Sequence, residues 1–302
     1  MQKSPREQKV GEWFILSQVA LYGLFPIVIN YGAKVMPPIL FFAMSTLAGA
    51  TILFIYMLVT GRAKDMFNKK AYKYILGVIA FIAVIPNLFI IFGTKLTSGT
   101  NTAILLQAEI IFTFLICSIF FHEKITLKRL IGAIIVILGA TAVLYQGSFN
   151  INAGDLLIIA GTFFFPIGNY FAKRALQITS AASILFLRSI IGGLFLLFLS
   201  FAIEGTSGNF LSLSQKNIFP ILINGILVMS LAKVLWYEGL RRIDISKAVA
   251  IGISSPAFSL LFAYIFLSEI PNAYQIFGVG AIIIGVLVVT RKPFNKAKIV
   301  DL

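Results

Sequence analysis

Long apolar stretches alternate with short polar connectors along almost the whole chain. About 20 consecutive apolar residues cross a bilayer as a helix, and that ruler divides the sequence into ten segments: 12–31, 37–60, 72–94, 99–121, 127–146, 154–173, 180–203, 217–240, 246–268 and 272–290. The connectors are too short to hold a soluble domain, so the segments must pack against one another. The first is too long for a signal-peptide core and lacks a cleavage site, which predicts an uncleaved first helix. The pattern predicts an all-α, polytopic membrane protein with ten transmembrane helices.

Basic residues orient these segments. Twenty Lys and Arg fall in the terminal segments and alternate connectors, from Lys3, Arg6 and Lys9 to Lys296 and Lys298, against three on the other side, Lys34, Lys95 and Lys216. Cytoplasmic loops carry such an excess. Both termini are therefore expected in the cytoplasm, with the chain multi-pass in the plasma (inner) membrane. The two remaining cations, Arg188 and Lys233, fall inside apolar segments.

The two halves of the chain echo each other. Glu123 and Glu269 are 146 residues apart, as are Gly132 and Gly278, Gly139 and Gly285, and Gly93 and Gly239. Gly49 and Gly193, and Gly61 and Gly205, keep an offset of 144. Five helices per copy is an odd number, so the second copy must enter the membrane upside down. The expected organisation is two inverted five-helix repeats, residues 1–148 and 149–302, with a binding site near the midplane between them.

Composition removes the other classes. The 302 residues are 59% hydrophobic and only 12% charged, with mean hydropathy +0.96, about half the charge a soluble surface needs. The net charge of +14 lies in loops between apolar spans and not on the basic face of a soluble domain, which argues against nucleic acid. A single cysteine, Cys117, and a single histidine, His122, leave no intrachain disulfide and no His/Cys metal cluster. The chain contains no GxSxG, Walker-type or HExxH motif, so no enzyme chemistry, metal or cofactor is expected. Without a nucleotide-binding domain, any transport would be gradient-driven or passive.

The run from Trp236 through Ser254-Ser255-Pro256, Phe266-Leu267-Ser268-Glu269 and Gly278 to Gly285, repeated as Gln107-Ala108-Glu109, Glu123, Gly132 and Gly139, resembles the EamA-like family of the drug/metabolite transporter superfamily. The resemblance covers about residues 12–290. It implies a ten-helix carrier with a central cavity, commonly an exporter of amino acids or other small metabolites. Two positions depart from the family pattern. Ile110 stands where a proline is usual, although its counterpart Pro256 is kept, and Met44 stands where an arginine is frequent, although Arg188 is kept.

A charge at mid-membrane costs at least about 2.5–3.5 kcal/mol and is rarely left facing lipid. Glu109, Arg188 and Lys233 come to similar depth in the fourth, seventh and eighth segments, which predicts a polar cavity. Arg188 and Lys233 suit an anionic group, one as a bidentate fork and the other as a point charge. Glu109 suits a substrate ammonium or a carried proton. The competing reading is a structural Glu109–Arg188 ion pair. Asn87, the repeat partner of Lys233, and Asn101, Gln107 and Ser254 are further candidates, as are Asn30, Asn169 and Ser255. Tyr22, Trp236 and Tyr237 can stack on substrate, although Trp and Tyr so near a helix end more often anchor at the lipid interface. Pro26, Pro86, Pro166 and Pro256 predict kinks or hinges. The glycines at 49, 132, 139, 192, 193, 278, 280 and 285 predict close helix packing. Glu123, Glu269 and His122 sit at helix ends, where capping or loop pairing is expected.

These features predict a secondary transporter, an exporter of small polar or zwitterionic metabolites such as amino acids, working by alternating access. An organic-phosphate or nucleotide-sugar carrier is one alternative. A non-transporting membrane component or lipid-intermediate flippase is the other. Expected partners are a small-molecule substrate, the lipid bilayer, a proton or counter-substrate, and a second copy in a homodimer.

Overall fold

Polar residues at the segment boundaries start the helices. Ser4 and Glu7 form a capping box ahead of α1 (Pro5–Tyr22), with Pro5 in its first turn. Asn152 and Asp155 form another ahead of α6 (Ala153–Ala175). Thr126 caps α5 (Leu127–Leu144) and Ser180 caps α7 (Ala181–Glu204). Each supplies an oxygen to N–H groups that have no partner within the helix. The other helices are α2 (Pro38–Val59), α3 (69–94), α4 (Leu106–Ile119), α8 (Ile218–Arg242), α9 (245–267) and α10 (Ala273–Thr290). In this computed structural model the described residues are 4–25, 28, 32, 35–94, 96, 105–121, 123, 125–145, 152–267 and 270–290. Among them there are no strands.

Eight of these helices are long and apolar enough to cross a membrane, and α4 is a shorter apolar helix. The chain is a multi-pass membrane protein. Large apolar side chains line its perimeter, Leu58, Leu138, Phe198, Phe277 and Ile284 among them, as expected of a surface solvated by lipid tails. The first helix starts earlier than the apolar pattern predicts, at Pro5 instead of residue 12, because the capping box adds polar turns ahead of the apolar stretch. A short helix over Phe210–Lys216 was also not predicted; it lies in the connector between α7 and α8.

The dominant packing pairs are α5 with α10, α2 with α7, α3 with α6, α1 with α8, and α2 with α8. Glycine sets the closest approaches, and these occur crosswise. A Cβ on Gly139 would lie 2.6 Å from the Gly278 carbonyl oxygen, and one on Gly278 would lie 2.6 Å from the Gly139 oxygen. Gly132 and Gly285 meet in the same way at 2.8–2.9 Å. On α3, Gly93 abuts Ile158 and the Gly154 carbonyl of α6; on α8, Gly239 abuts Ile15 and the Gly11 carbonyl of α1. Small residues let helix backbones touch where lipid supplies no hydrophobic drive for association. Gly280 departs from the packing expectation, since a Cβ there would meet nothing within 4 Å.

The charged residues collect at one end of the bundle. There Arg129 pairs with Asp244 at 2.8 Å, Lys247 with Glu12 at 2.5 Å, and Glu238 with Arg241 and Arg242. At the opposite end the Glu204 carboxylate accepts from the N–H groups of Ile39 and Leu40, capping α2 from the end of α7.

Replacing Gly139 by valine drives a side chain into backbone on α10. It is expected to cost at least the roughly 1–3 kcal/mol of overpacking, read as a lower melting temperature in detergent. Gly280→Ala is expected to hold or raise that temperature, since alanine favours a helix by about 1 kcal/mol over glycine.

Candidate functional site

Two helices change winding at mid-depth. Ile79–Val84 of α3 and Asn224–Ala232 of α8 form π-helical turns, a form that concentrates at functional sites. Shifting the first by 146 residues places it at 225–230, within the second. Asn87 and Lys233, also 146 apart, each follow their turn. Pro86 has no N–H to give the Ile82 carbonyl. The Asn87 amide supplies the replacement, donating from Nδ2 to Ala83 O at 2.7 Å and to Ile82 O at 3.3 Å. In α8, Ser230 Oγ is within hydrogen-bond distance of the Gly225 and Gly49 carbonyls, at 2.8 and 2.9 Å. Two further prolines expected to kink helices also lie beside interruptions: Pro166 follows a break at Phe163, and Pro256 follows the turn at Ile253–Ser254. Irregular backbone at membrane depth survives only inside protein or beside a cavity.

The π-turns border a cavity of about 130 Å³. Its wall carries Tyr22, Asn87, Arg188 and Lys233, with Ala83, Phe165, Gly192 and Met229 between them and Phe42, Thr46 and Leu196 toward the less charged end. Tyr22 and Phe165 occupy corresponding places in α1 and α6, as Ala83 and Met229 do in α3 and α8. The Lys233 ammonium lies 4.4 Å from the centre of the Tyr22 ring, a cation–π contact. Arg188 lies within electrostatic reach of Lys233, Tyr22 and Tyr237. Among the described residues no carboxylate lies within 4.0 Å of either cation. The Glu109–Arg188 ion pair of the competing reading is therefore not formed. Two like charges share one chamber, and the side chains around them supply little to neutralise them.

Glu109 stands next to this chamber and not in its wall. Its carboxylate accepts a long hydrogen bond from Asn169 Nδ2 at 3.4 Å, and Asn169 Oδ1 accepts from Trp236 Nε1 at 3.4 Å. Lys233 is within electrostatic reach of Glu109. The three charges thus occupy neighbouring layers, two cations in the cavity and one acid behind them.

The remaining candidates scatter. Tyr237 is 1% exposed, with its hydroxyl against Arg188, and it is neither an interface anchor nor part of the cavity wall. Trp236 is half-buried over Gly252 and faces the bundle interior. Ser254 is buried and donates to Ile251 O at 2.6 Å, serving the break before Pro256. Gln107 sits half-buried in the 3₁₀ turn that leads to Glu109. Asn101 and Pro26 lie outside the described residues, as do Asn30, His122 and Glu269. Sequence reasoning missed Phe42, Thr46, Phe165 and Met229. The repeat offset of 146 could have found one of them, Met229 from Ala83.

Residues 9–145 and 152–291 each match the EamA-like transporter family. The chain belongs to that family. Its relatives in this EamA-like group are transporters and not enzymes. An uncharacterized transporter of Archaeoglobus fulgidus is 25% identical over 283 residues, 93% of this chain and 99% of the relative. The pseudopaline exporter CntI of Pseudomonas aeruginosa is 31% identical over 147 residues, 48% of each chain. A crystal structure superposes with a TM-score of 0.80 over 93% of this chain and 96% of its own, at 14% identity, a likeness of fold. This EamA-like chain is a membrane transporter.

Asn87→Ala leaves the Ile82 carbonyl without a partner beside Pro86 and is expected to cost about 1–3 kcal/mol. That corresponds to a melting temperature lower by about 2–4 °C per kcal/mol. In a Pro86→Ala background, where the N–H returns, the same substitution should cost measurably less.

Proposed function

We propose that this chain is a secondary transporter that exports small zwitterionic metabolites such as amino acids, binding the substrate carboxylate between Arg188 and Lys233. The carrying observation is the pair of cations in one cavity with no carboxylate within 4.0 Å among the described residues. A buried charge needs a counter-charge or strong hydrogen bonds, and a substrate carboxylate supplies both, in the planar form a guanidinium prefers. Glu109, one layer back and bonded by Asn169, receives the substrate ammonium or a coupling proton. At about 130 Å³ the chamber is well below the roughly 300–1,000 Å³ of drug-sized sites. That favours a small solute over a nucleotide sugar.

The frame is ten membrane-spanning helices in two inverted five-helix repeats, residues 1–148 and 149–302. Three observations support it: the family matches twice, once in each half; the π-turns fall at equivalent positions; and the crosswise glycine contacts map onto one another when the halves exchange. The charged end faces the cytoplasm, with both termini, in the plasma membrane. Alternating access is the rocking of one half against the other around the cavity.

A second reading, a carrier of small organic phosphates, draws on the same two cations and on the position of Glu109 outside the cavity wall, which lessens its repulsion of a dianion. Proteoliposome uptake separates the two. Amino acids should be carried, and phosphate esters should compete poorly. Lys233→Ala and Arg188→Ala should each lower uptake by about 10–150-fold, the equivalent of losing a charge-assisted hydrogen bond of roughly 1.5–3 kcal/mol. Glu109→Gln should change uptake or its proton dependence. Unchanged transport of every carried solute by the two cation variants would remove the site, and inhibition by phosphate esters alone would select the second reading.

A further inference from the structure

The charged end contains an exchange of helix caps. α9 begins at Ile245, preceded by Asp244 with φ −68° and ψ 151°, the residue type and extended backbone that ordinarily cap their own helix. Asp244 does not do so. Its carboxylate pairs with Arg129 of α5 at 2.8 Å. The cap comes instead from Glu123, beyond the end of α4. It accepts from Ile245 N at 3.0 Å, Ser246 N at 3.1 Å and Ser246 Oγ at 2.9 Å, with Lys173 of α6 at 3.5 Å. The Lys173 ammonium also donates to the Ile243 carbonyl at 2.9 Å. One carboxylate and one guanidinium from the first half thus grip the start of a second-half helix.

This grip lies at the charged end, outward of the cavity. Arg188 is seven residues from the start of α7 and Lys233 nine from the end of α8, so the cavity cations lie about 10–14 Å inward at 1.5 Å per residue. Buried Ile15, Leu185, Tyr237, Leu240 and Ile243 belong to the same continuous core at this end. On its outer side the grip borders a crevice of about 300 Å³ lined by Phe121, Glu123, Tyr170, Lys173, Arg174 and Asp244. Asp244 is the most open partner, its side chain 47% exposed, so water can replace each contact as it breaks.

We propose that Glu123, Arg129 and Asp244 form a two-position latch. With the charged end closed, Glu123 caps α9 and Arg129 holds Asp244 aside. With that end open, Glu123 and Arg129 withdraw with the first half, and Asp244 turns onto the N–H groups they leave. The helix start is satisfied in both positions, so opening exposes no unpaired backbone donor at a helix terminus. A simple clip has one satisfied position; this arrangement has two and can toggle. The proposal rests on the two-half carrier reading and needs no knowledge of the substrate.

The test uses opposite responses from two variants that break the same ion pair. Thr46, in the cavity wall, is replaced by cysteine in a Cys117→Ser background, and a membrane-impermeant maleimide is applied to either face of sealed vesicles. Arg129→Gln frees Asp244 to take the cap, and labelling from the cytoplasmic face should rise several-fold. Asp244→Ala removes the replacement cap, and cytoplasmic labelling should fall below that of the parent. Glu123→Gln, which keeps the side-chain shape, should follow Arg129→Gln. Equal responses from the Arg129 and Asp244 variants, or none from either, would overturn the latch in favour of a static clip. If Thr46→Cys reacts from neither face in any variant, the water-filled cavity itself is refuted, and the latch falls with it.

Discussion

The whole arrangement depends on the cost of holding charge in hydrocarbon. Arg188 and Lys233 sit at the depth where lipid offers no solvation, so their helices have to turn them inward onto a chamber that can hydrate or pair them. The chain adds a ring to one of them, with Tyr22 against the Lys233 ammonium, and in the proposed carrier a solute supplies the rest of the counter-charge. A structural pair would have placed Glu109 against Arg188. Glu109 lies instead in the next layer, where Asn169 donates to it and Trp236 in turn donates to Asn169, and the proposed binding chamber depends on that displacement.

Opening such a chamber within a helix bundle breaks regular backbone, and each break is repaired locally. Asn87 covers the carbonyl left by Pro86, Ser230 covers the π-turn of α8, and Ser254 covers the turn before Pro256. Two polar residues that read as substrate ligands, Asn87 and Ser254, thus bond the backbone, and the proposed solute chemistry rests on two cations. Elsewhere the bundle relies on close glycine contacts, above all between α5 and α10. These helices carry no cavity-wall residue and form a scaffold that the working helices lean on.

Much of this was readable from one sequence because the membrane imposes simple rules. Apolar length marked the spans, loop charge marked the ends, and the spacing of 146 linked Asn87 to Lys233 and Gly132 to Gly278. What escaped was tertiary. A π-turn has the same apolar composition as the α-helix around it, so Ile79–Val84 gave no signal. Gly280 was grouped with the packing glycines because spacing does not reveal which side of a helix meets lipid. Glu123 stood out as a landmark, but its partners at Ile245 and Ser246 are more than 120 positions away, and no local pattern connects them. Tyr237 read as an interface residue because its distance from the helix end is visible in sequence, whereas the packing that buries it beside Arg188 is not.

The central claim is that a solute carboxylate completes the Arg188–Lys233 pair. Solid-state NMR on the protein in lipid, with nitrogen-15 in its lysine side chains and carbon-13 in the carboxylate of a transported amino acid, reports that contact directly. Dipolar dephasing of the carboxylate signal by a lysine amine, abolished by Lys233→Met, is the result this structure predicts. A bound solute whose carboxylate shows no dephasing, or the same dephasing after Lys233→Met, would contradict it.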